Sequence, residues 1–531
     1  MNYKIIYLLV LLSVVFKINS QAQSNKALSI IPKPSEVVVK DETINLNKSL
    51  QVYVDSKSEI DKPYLSSILH ESGIETYFTE NKKKANLILE IDNKTSANKE
   101  AYKLVVDKKG QVIASAASKN GLLYAIPTLR QLITESNSQK LTLPCCTIID
   151  EPAFSWRAFM LDESRHFHGM EIVKIFLDEM ARLKLNTFHW HLVDDPGWRI
   201  EIKKYPKLTD IGSKRDFSHK EVSEEWEKLY PNRKMFYTQD EIREIIAYAD
   251  IRGITIIPEI EVPGHASAAI YSYPWTGASS TEKGYGVWGD LYNVTNPKVE
   301  EFLQNILDEV IELFPSNIVH IGGDEANYTH WQNNQQIVEF MKQNNIPTFA
   351  DLQVWSINRF SKYLASKGVK MIGWNEITGD NIRGEEHIQA SQSEKLADGT
   401  LVQFWDGDIS LVNKAIDSGY DVVNSDRHFT YLDYPYEVTS FEKAYSFNPI
   451  PEGLSEEKQS KILGFGCQLW GEYTPNTDRL YFQAFPRIAA LSECGWTKWE
   501  NKDFTDFRSR FKSLELVWKE KGFLKTQLDK Y

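Results

Sequence analysis

Disulfide bridges, membrane spans and basic runs are what this chain has least of. Four cysteines in 531 residues are too few for a disulfide framework. Cys145 and Cys146 are neighbours, and Cys467 and Cys494 lie in apolar runs, so they read as buried free thiols, with a single bridge open as an alternative in an oxidising compartment. Beyond the first twenty residues no run is long and apolar enough to span a bilayer. Lys82-Lys83-Lys84 is the one basic run and reads as a solvated turn. With a formal net charge of −12, the chain is a poor partner for nucleic acid.

What is present begins with an export signal. Lys4 supplies its charge, Ile5 to Phe16 its apolar core, and Ser20-Gln21-Ala22 a small-residue cleavage site. Residues 1–22 are therefore expected to be removed, leaving a mature protein that starts near Gln23 and works in the periplasm or outside the cell. Removal of two lysines and no acid takes the net charge to about −14. No cysteine lies near the cleavage site, which argues against a lipid anchor. The chain also holds 14 tryptophans, several at strand ends rather than in core positions. Aromatic faces suit the apolar faces of sugar rings, although a core position is the expectation for Trp156 and Trp499.

Residues 24–150 read as a small α+β domain. Short strands are expected at Val37–Val39, Gln51–Val54, Asn86–Ile91, Tyr102–Val106 and Gln111–Ala116, with a helix over Leu122–Leu132. The two prolines between Leu143-Pro144 and Glu151-Pro152 mark the expected boundary. From 151 to 531 the pattern alternates apolar strand, loop and amphipathic helix. Strands are expected at Ala158–Leu161, Thr187–Leu192, Ile254–Ile260, Ile318–Ile321, Lys370–Trp374, Leu401–Trp405, Asp421–Asn424 and Leu463–Leu469. Ile172, Val173, Phe176, Leu177, Met180 and Leu183 make one helix face, and Val299, Phe302, Leu303, Ile306, Val310 and Phe314 another. Eight such strands predict the α/β class: a closed (β/α)8 TIM barrel preceded by the small α+β domain.

Chemistry in such a barrel sits at the carboxyl ends of the strands, and the polar residues here follow that rule strand by strand. Asp162 to His166 follows the first strand. His189-Trp190-His191 with Asp194-Asp195 and Gly197-Trp198-Arg199 follows the second, and Glu259 to His265, ending Pro263-Gly264-His265, the third. The fourth ends in His320-Ile321-Gly322-Gly323-Asp324-Glu325. Trp374, Trp405, Tyr431-Leu432-Asp433 and Trp470-Gly471-Glu472 close the series. Adjacent acids such as Asp324 and Glu325 can keep one carboxyl ionised and its neighbour protonated, the equipment for breaking an acid-labile bond such as a glycoside. A helix N-terminus rich in acids is the bland alternative. Two rival functions share the residues. His189-x-His191 with His265, His320 and Asp324 has the composition of a zinc site in an amidohydrolase barrel, and the barrel could also be a glycan-binding protein without turnover.

The ordered set resembles glycoside hydrolase family 20, the β-N-acetylhexosaminidases, over nearly the whole mature chain. That resemblance implies an exo-acting, retaining hydrolase of terminal β-linked N-acetylglucosamine and N-acetylgalactosamine in oligosaccharides or glycoconjugates, with no metal or organic cofactor. In this family the substrate's own acetamide attacks the anomeric carbon. Glu325 is implied as general acid and then base, Asp324 as the holder of the acetamide N–H, and Tyr431 as the donor to its carbonyl oxygen. Asp194 and His265 are implied to tune Glu325. Trp374, Trp405 and Trp470 would wall the pocket, and Arg165, Asp433 and Glu472 would hold ring hydroxyls. A narrower member of the family, one that releases a disaccharide, is the alternative, decided by whether Asp216–Lys234 and Ser267–Asn293 leave room. Glu261 stands where the family more often has Asp, and Pro196 where it more often has Gln.

Overall fold

The computed structural model describes residues 28–135, 140–214, 235–279, 289–382, 389–391 and 395–525. The expected export signal and the stretch Asp216–Lys234 lie outside these residues, as do 280–288 within the second expected insertion.

The first part is one eight-stranded sheet. Its strands run in the order Glu36–Leu46, Leu141–Asp150, Tyr102–Val106, Val112–Ala116, Leu87–Ile91, Ser49–Val54 and Glu75–Phe78, with Thr134–Glu135 added beside Leu141–Asp150. Helices Lys62–His70 and Lys119–Leu132 share an apolar core with it. The second helix starts three residues earlier than expected, where the Ser118 hydroxyl accepts the Gly121 N–H.

Leu141–Asp150 is a strand that the sequence reading did not predict, and Pro144 lies inside it, so of the two prolines in the expected boundary segment only Pro152 falls beyond the sheet. Tyr102–Val106 pairs only as far as Cys146, and Thr134–Glu135 only at Leu141 and Thr142. On that side Pro144 falls in the gap between these partners, and on the other it stands opposite Thr43 beside a register shift in Glu36–Leu46, places where a strand tolerates proline. Glu75–Phe78, covered by no expectation, is a short and mostly exposed edge strand without alternating apolar residues to announce it.

The second part is a closed barrel of eight parallel strands. They are β1 (Trp156–Asp162), β2 (Thr187–His191), β3 (Thr255–Glu259), β4 (Ile318–His320), β5 (Lys370–Trp374), β6 (Leu401–Phe404), β7 (Asp421–Asn424) and β8 (Ile462–Leu469). Closure is made by β8 on β1, from Gly464 opposite Trp156 to Leu469 opposite Leu161. The helix faces read from the sequence lie on the barrel: Val173, Phe176, Leu177 and Met180 of Met170–Arg182, and Val299, Phe302, Leu303, Ile306 and Val310 of Pro297–Leu313, are buried.

Strand alternation sorts the barrel interior into layers. Ile257, Ile372, Leu401 and Val423 form an apolar plug. Two residues further along the same strands come Glu259, Trp374, Gln403 and Ser425, so the plug carries a polar layer directly beneath the strand ends. There the Gln403 and Gln468 amides both donate to the Ser425 hydroxyl at 3.1 Å.

All four cysteines are free and buried. Lys82–Lys84 is a turn with no buried residue. Trp499, expected in the core, is instead 52% exposed. It sits in the turn Trp499–Asn501 with the Lys502 ammonium 4.7 Å above its ring, so a cation and not an apolar neighbour covers it. No helix among the described residues is long and apolar enough to cross a membrane.

Candidate active site

After β4 the chain turns sharply at Gly322 (φ 64°) and Gly323 (φ 93°). The turn needs a glycine for space as well: a Cβ on Gly322 would lie 1.6 Å from Glu261 Oε2. Trp374 N–H and the Gln353 amide hold the carbonyls of Gly322 and Gly323, each at 2.9 Å. This delivers Asp324, with a side chain 8% exposed, beside Glu325, which is 40% exposed. One acid is thus sheltered and its neighbour open to a ligand. Glu325 and His265 both sit at φ 48°, a region that non-glycine residues occupy only when their surroundings hold them there.

His265 stands between two carboxylate groups. Its Nδ1 is 3.1 Å from Asp194 Oδ1, and its Nε2 is 3.7 Å from Asp324 Oδ2 and 3.9 Å from Glu325 Oε2. Burial by itself would favour the neutral ring, but Asp194 overrides it and holds His265 well above the usual imidazole range. Asp194 is itself held well below the carboxylate range against its own burial, by Arg165 and His265. Asp195 lies 3.6 Å from His265 and accepts the Ser267 N–H at 2.9 Å, so it anchors the following helix.

Arg165 reaches Asp194 at 2.8 Å, Asp162 at 3.1 Å and Glu472 at 3.6 Å, with its guanidinium 5.0 Å from the Trp470 ring centre. Beside it, burial and the nearby Glu472 carboxylate push Asp433 up to about 8, and its Oδ1 has no hydrogen-bond partner. Trp374, Trp405, Tyr431 and Trp470 form one aromatic box. Tyr431 lies almost parallel to Trp405, with ring centres 6.1 Å apart, and 6.0 Å from Trp470; Trp374 is 5.8 Å from Trp470. Contacts link these residues in a chain: Asp324 and Glu325 lie beside His265, His265 beside Asp194, Asp194 beside Arg165, and Arg165 beside Glu472 and the Trp470 ring of the aromatic box.

Sequence reasoning named Glu259 at a strand end without a role and missed Glu376, and these two hold the box. Glu259 accepts the Trp374 indole N–H at 3.0 Å, and Glu376 the Trp405 indole N–H at 2.9 Å. Glu376 directly follows the Trp374-Asn375 strand end, a position that could have flagged it. Burial and the charge of Asp324 raise Glu376 well above the carboxylate range.

The residues of the zinc reading fall into separate groups, His189 and His320 with Glu259, and His265 and Asp324 with Glu325, each with ligand atoms within 4.8 Å of one another. His191 Nδ1 bonds Glu259, His189 Nε2 is 2.9 Å from Glu259 and His320 Nδ1 is 2.8 Å from it. The three imidazoles converge on the Glu259 carboxylate, while His265 lies against Asp194. Burial lowers His189 to about 4, whereas the carboxylates of Glu259 and Asp194 outweigh burial at His191 and raise it to about 10.

Comparison with known proteins gives the same picture. The family model "Glycosyl hydrolase family 20, catalytic domain" matches residues 154–499, and "Glycosyl hydrolase family 20, domain 2" matches residues 27–151. A β-hexosaminidase of Porphyromonas gingivalis is 34% identical over 514 residues, which cover 92% of this chain and 62% of that protein. The chain thus spans less than two thirds of that relative. The structure of an exo-β-N-acetylglucosaminidase from Vibrio harveyi in complex with N-acetylglucosamine superposes with a TM-score of 0.81, at 31% identity, covering 93% of this chain and 78% of the other. A chitobiase from Flavobacterium johnsoniae gives 0.79 at 32% identity, covering 96% and 75%.

Proposed function

The chain belongs to glycoside hydrolase family 20, and from that premise we propose that it is an exo-acting, retaining β-N-acetylhexosaminidase releasing terminal β-linked N-acetylglucosamine and N-acetylgalactosamine. The observation that supports this reading is that Asp324 and Glu325 both lie within 4 Å of His265, which Asp194 and Arg165 connect to the aromatic box of Trp374, Trp405, Tyr431 and Trp470.

A retaining glycosidase with two catalytic carboxyls needs them about 5 Å apart across the sugar. Adjacent residues such as Asp324 and Glu325 present both carboxyls from one turn, so the second face of the sugar is served by the substrate. Its acetamide oxygen attacks the anomeric carbon, the glycosidic bond breaks, and Glu325 gives its proton to the leaving oxygen. Asp324 accepts the acetamide N–H as positive charge develops on the oxazolinium ring, and the Tyr431 hydroxyl donates to the acetamide oxygen and aims it. Water then attacks the same carbon, with Glu325 taking its proton, and the configuration is retained. The aromatic box excludes water and fixes the acetamide, replacing an enzyme nucleophile by orientation. His265, held cationic by Asp194, faces both acids and balances their charge. Arg165 and Glu472 are placed to bind ring hydroxyls by charge-assisted hydrogen bonds, with Asp433 beside them. No step requires a metal or an organic cofactor.

Hydrolysis of p-nitrophenyl β-N-acetylglucosaminide, compared with the plain β-glucoside, tests the reading. Cleavage of the acetamido sugar alone is expected, and Glu325→Gln should reduce it by roughly 10² to 10⁴, the range of general acid–base catalysis. Equal cleavage of the plain glucoside would remove the acetamide from the mechanism. We read residues 1–22 as the signal for export to the periplasm or the medium; N-terminal sequencing of exported protein should then begin near Gln23.

A further inference from the structure

A cleft of about 810 Å³ opens between the segments that follow β3 and β4, at the catalytic end of the barrel. Its size falls within the roughly 300 to 1,000 Å³ of small-molecule sites. A quarter of this chain's residues are charged, yet among the described residues none that lines the cleft carries a charge. Asn and Gln amides line it together with Trp275, which is 47% exposed and is held edge-on against Phe302 at 5.5 Å.

The walls are fixed before anything binds. Asn334 caps helix Gln335–Gln343 by accepting the N–H groups of Gln336 and Ile337 at 2.9 and 3.2 Å, and its amide donates to the Ala278 carbonyl on the opposite wall at 2.8 Å. That uses up Asn334 as a strut. The side chains of Gln335 and Gln336 are exposed and supply neutral donors and acceptors.

The cleft also adjoins the pocket. Ala278 N–H binds the Leu291 carbonyl at 2.8 Å, and Tyr292 N–H binds the Pro263 carbonyl at 3.0 Å, two residues before His265. The cleft wall at Ala278 and Asn293 is thus tied through Leu291 and Tyr292 to the segment that carries His265.

Among the described residues the wall offers no counter-ion to a phosphate, an acidic peptide or a basic one. Amides paired with an open indole face match a ligand whose rings carry hydroxyls at the edge and apolar C–H groups on the face. We propose that this cleft is a second carbohydrate site, where an inner sugar of a neutral glycan stacks on Trp275 and bonds Gln335 and Gln336 while the chain's end occupies the catalytic pocket. The assignment goes beyond the hydrolase reading and rests on it for the choice of ligand. A second contact next to the first raises the local concentration of the cleavable end, so it acts on long substrates and not on short ones.

The test compares the β-1,4-linked N-acetylglucosamine hexasaccharide and a neutral mucin-type oligosaccharide with the p-nitrophenyl monosaccharide. Trp275→Ala should lower kcat/KM on at least one of the glycans by roughly two- to tenfold, the worth of one aromatic contact, and leave the monosaccharide unchanged. The double variant Gln335→Ala/Gln336→Ala, whose side chains are exposed, should act in the same direction without a change in Tm. Direct titration of the glycans into the Glu325→Gln protein, with and without Trp275→Ala, reads binding independently of turnover. If wild type hydrolyses nothing but glycan binding depends on Trp275, the hydrolase reading falls and the cleft stands. Glycan binding and cleavage that respond to neither variant, or an equal loss on the monosaccharide, would overturn it.

Discussion

At the junction between the sheet domain and the barrel, Asp150 accepts hydrogen bonds from Ser35 N–H at 3.0 Å, Trp496 at 2.9 Å, Tyr102 at 2.6 Å and the buried Lys184 ammonium at 2.8 Å. Beneath the pocket, Glu261 is just as buried, yet neither of its oxygens has a partner, and Asp324 Oδ1, Glu376 Oε1 and Asp433 Oδ1 also lack one. Both places take carboxyls out of water. At the junction the carboxylate oxygens of Asp150 are answered by four donors from both domains, so the pair locks two domains in register. Under the pocket the carboxyls crowd one another. Burial and the neighbouring Asp324 and Glu259 push Glu261 well above the carboxylate range. An unanswered polar atom is costly in a resting protein, and here such atoms gather where a ligand's N–H and O–H groups would answer them.

That contrast can be broken at the junction first. Asp150→Ala leaves the Lys184 ammonium buried without a carboxylate, and should cost about 3 to 5 kcal/mol of stability while kcat of the remaining folded enzyme stays the same; chemical denaturation and active-site titration separate the two. Asp324→Asn should do the reverse. Turnover is expected to fall by roughly 10², the size of a lost electrostatic stabiliser, with a smaller change in KM and little in Tm, and a variant with wild-type turnover would end the acetamide-holding role.

Asp433 sharpens the comparison through pH. Its folded pKa of about 8 is raised above the ordinary carboxylate value, so the folded protein keeps a proton that the unfolded chain has released. The associated stability is complete below about pH 4 and is lost as pH rises toward 8. In Asp433→Asn the decline of Tm over that window should be shallower than in wild type. The smallest effect is expected for Glu261→Gln. The amide keeps the shape of the acid, and neither Glu261 oxygen has a partner to lose, so stability should change by no more than about 1 kcal/mol and activity should persist. Large losses there would mean that Glu261 works as a carboxylate.

Much of this was legible in the chain. Alternation of apolar strands with amphipathic helices is local, and so are the polar residues that close each strand; both follow from periods of 2 and 3.6 that a sequence displays directly. The box of Trp374, Trp405, Tyr431 and Trp470 was readable because each residue ends its own strand or follows it closely. Leu141–Asp150 was not, because Pro144 is tolerated only through the particular lengths of the strands beside it. Trp499 failed for a related reason: whether an indole is covered depends on which neighbour arrives, and here it is Lys502.

By itself, then, the sequence determined the barrel, the end of it that does chemistry, and the residues gathered there. Only the tertiary structure decided which atoms meet. Glu259 joins His191 from 68 residues away and Trp374 from 115, distances along the chain that barrel closure alone brings within hydrogen-bond reach. Hydrogen bonds and charge coupling act over a few ångströms in space and carry no periodicity along the chain, so the partners of Glu259, Glu376 and His265, and the empty lone pairs of Glu261, exist only once the eight strands have closed.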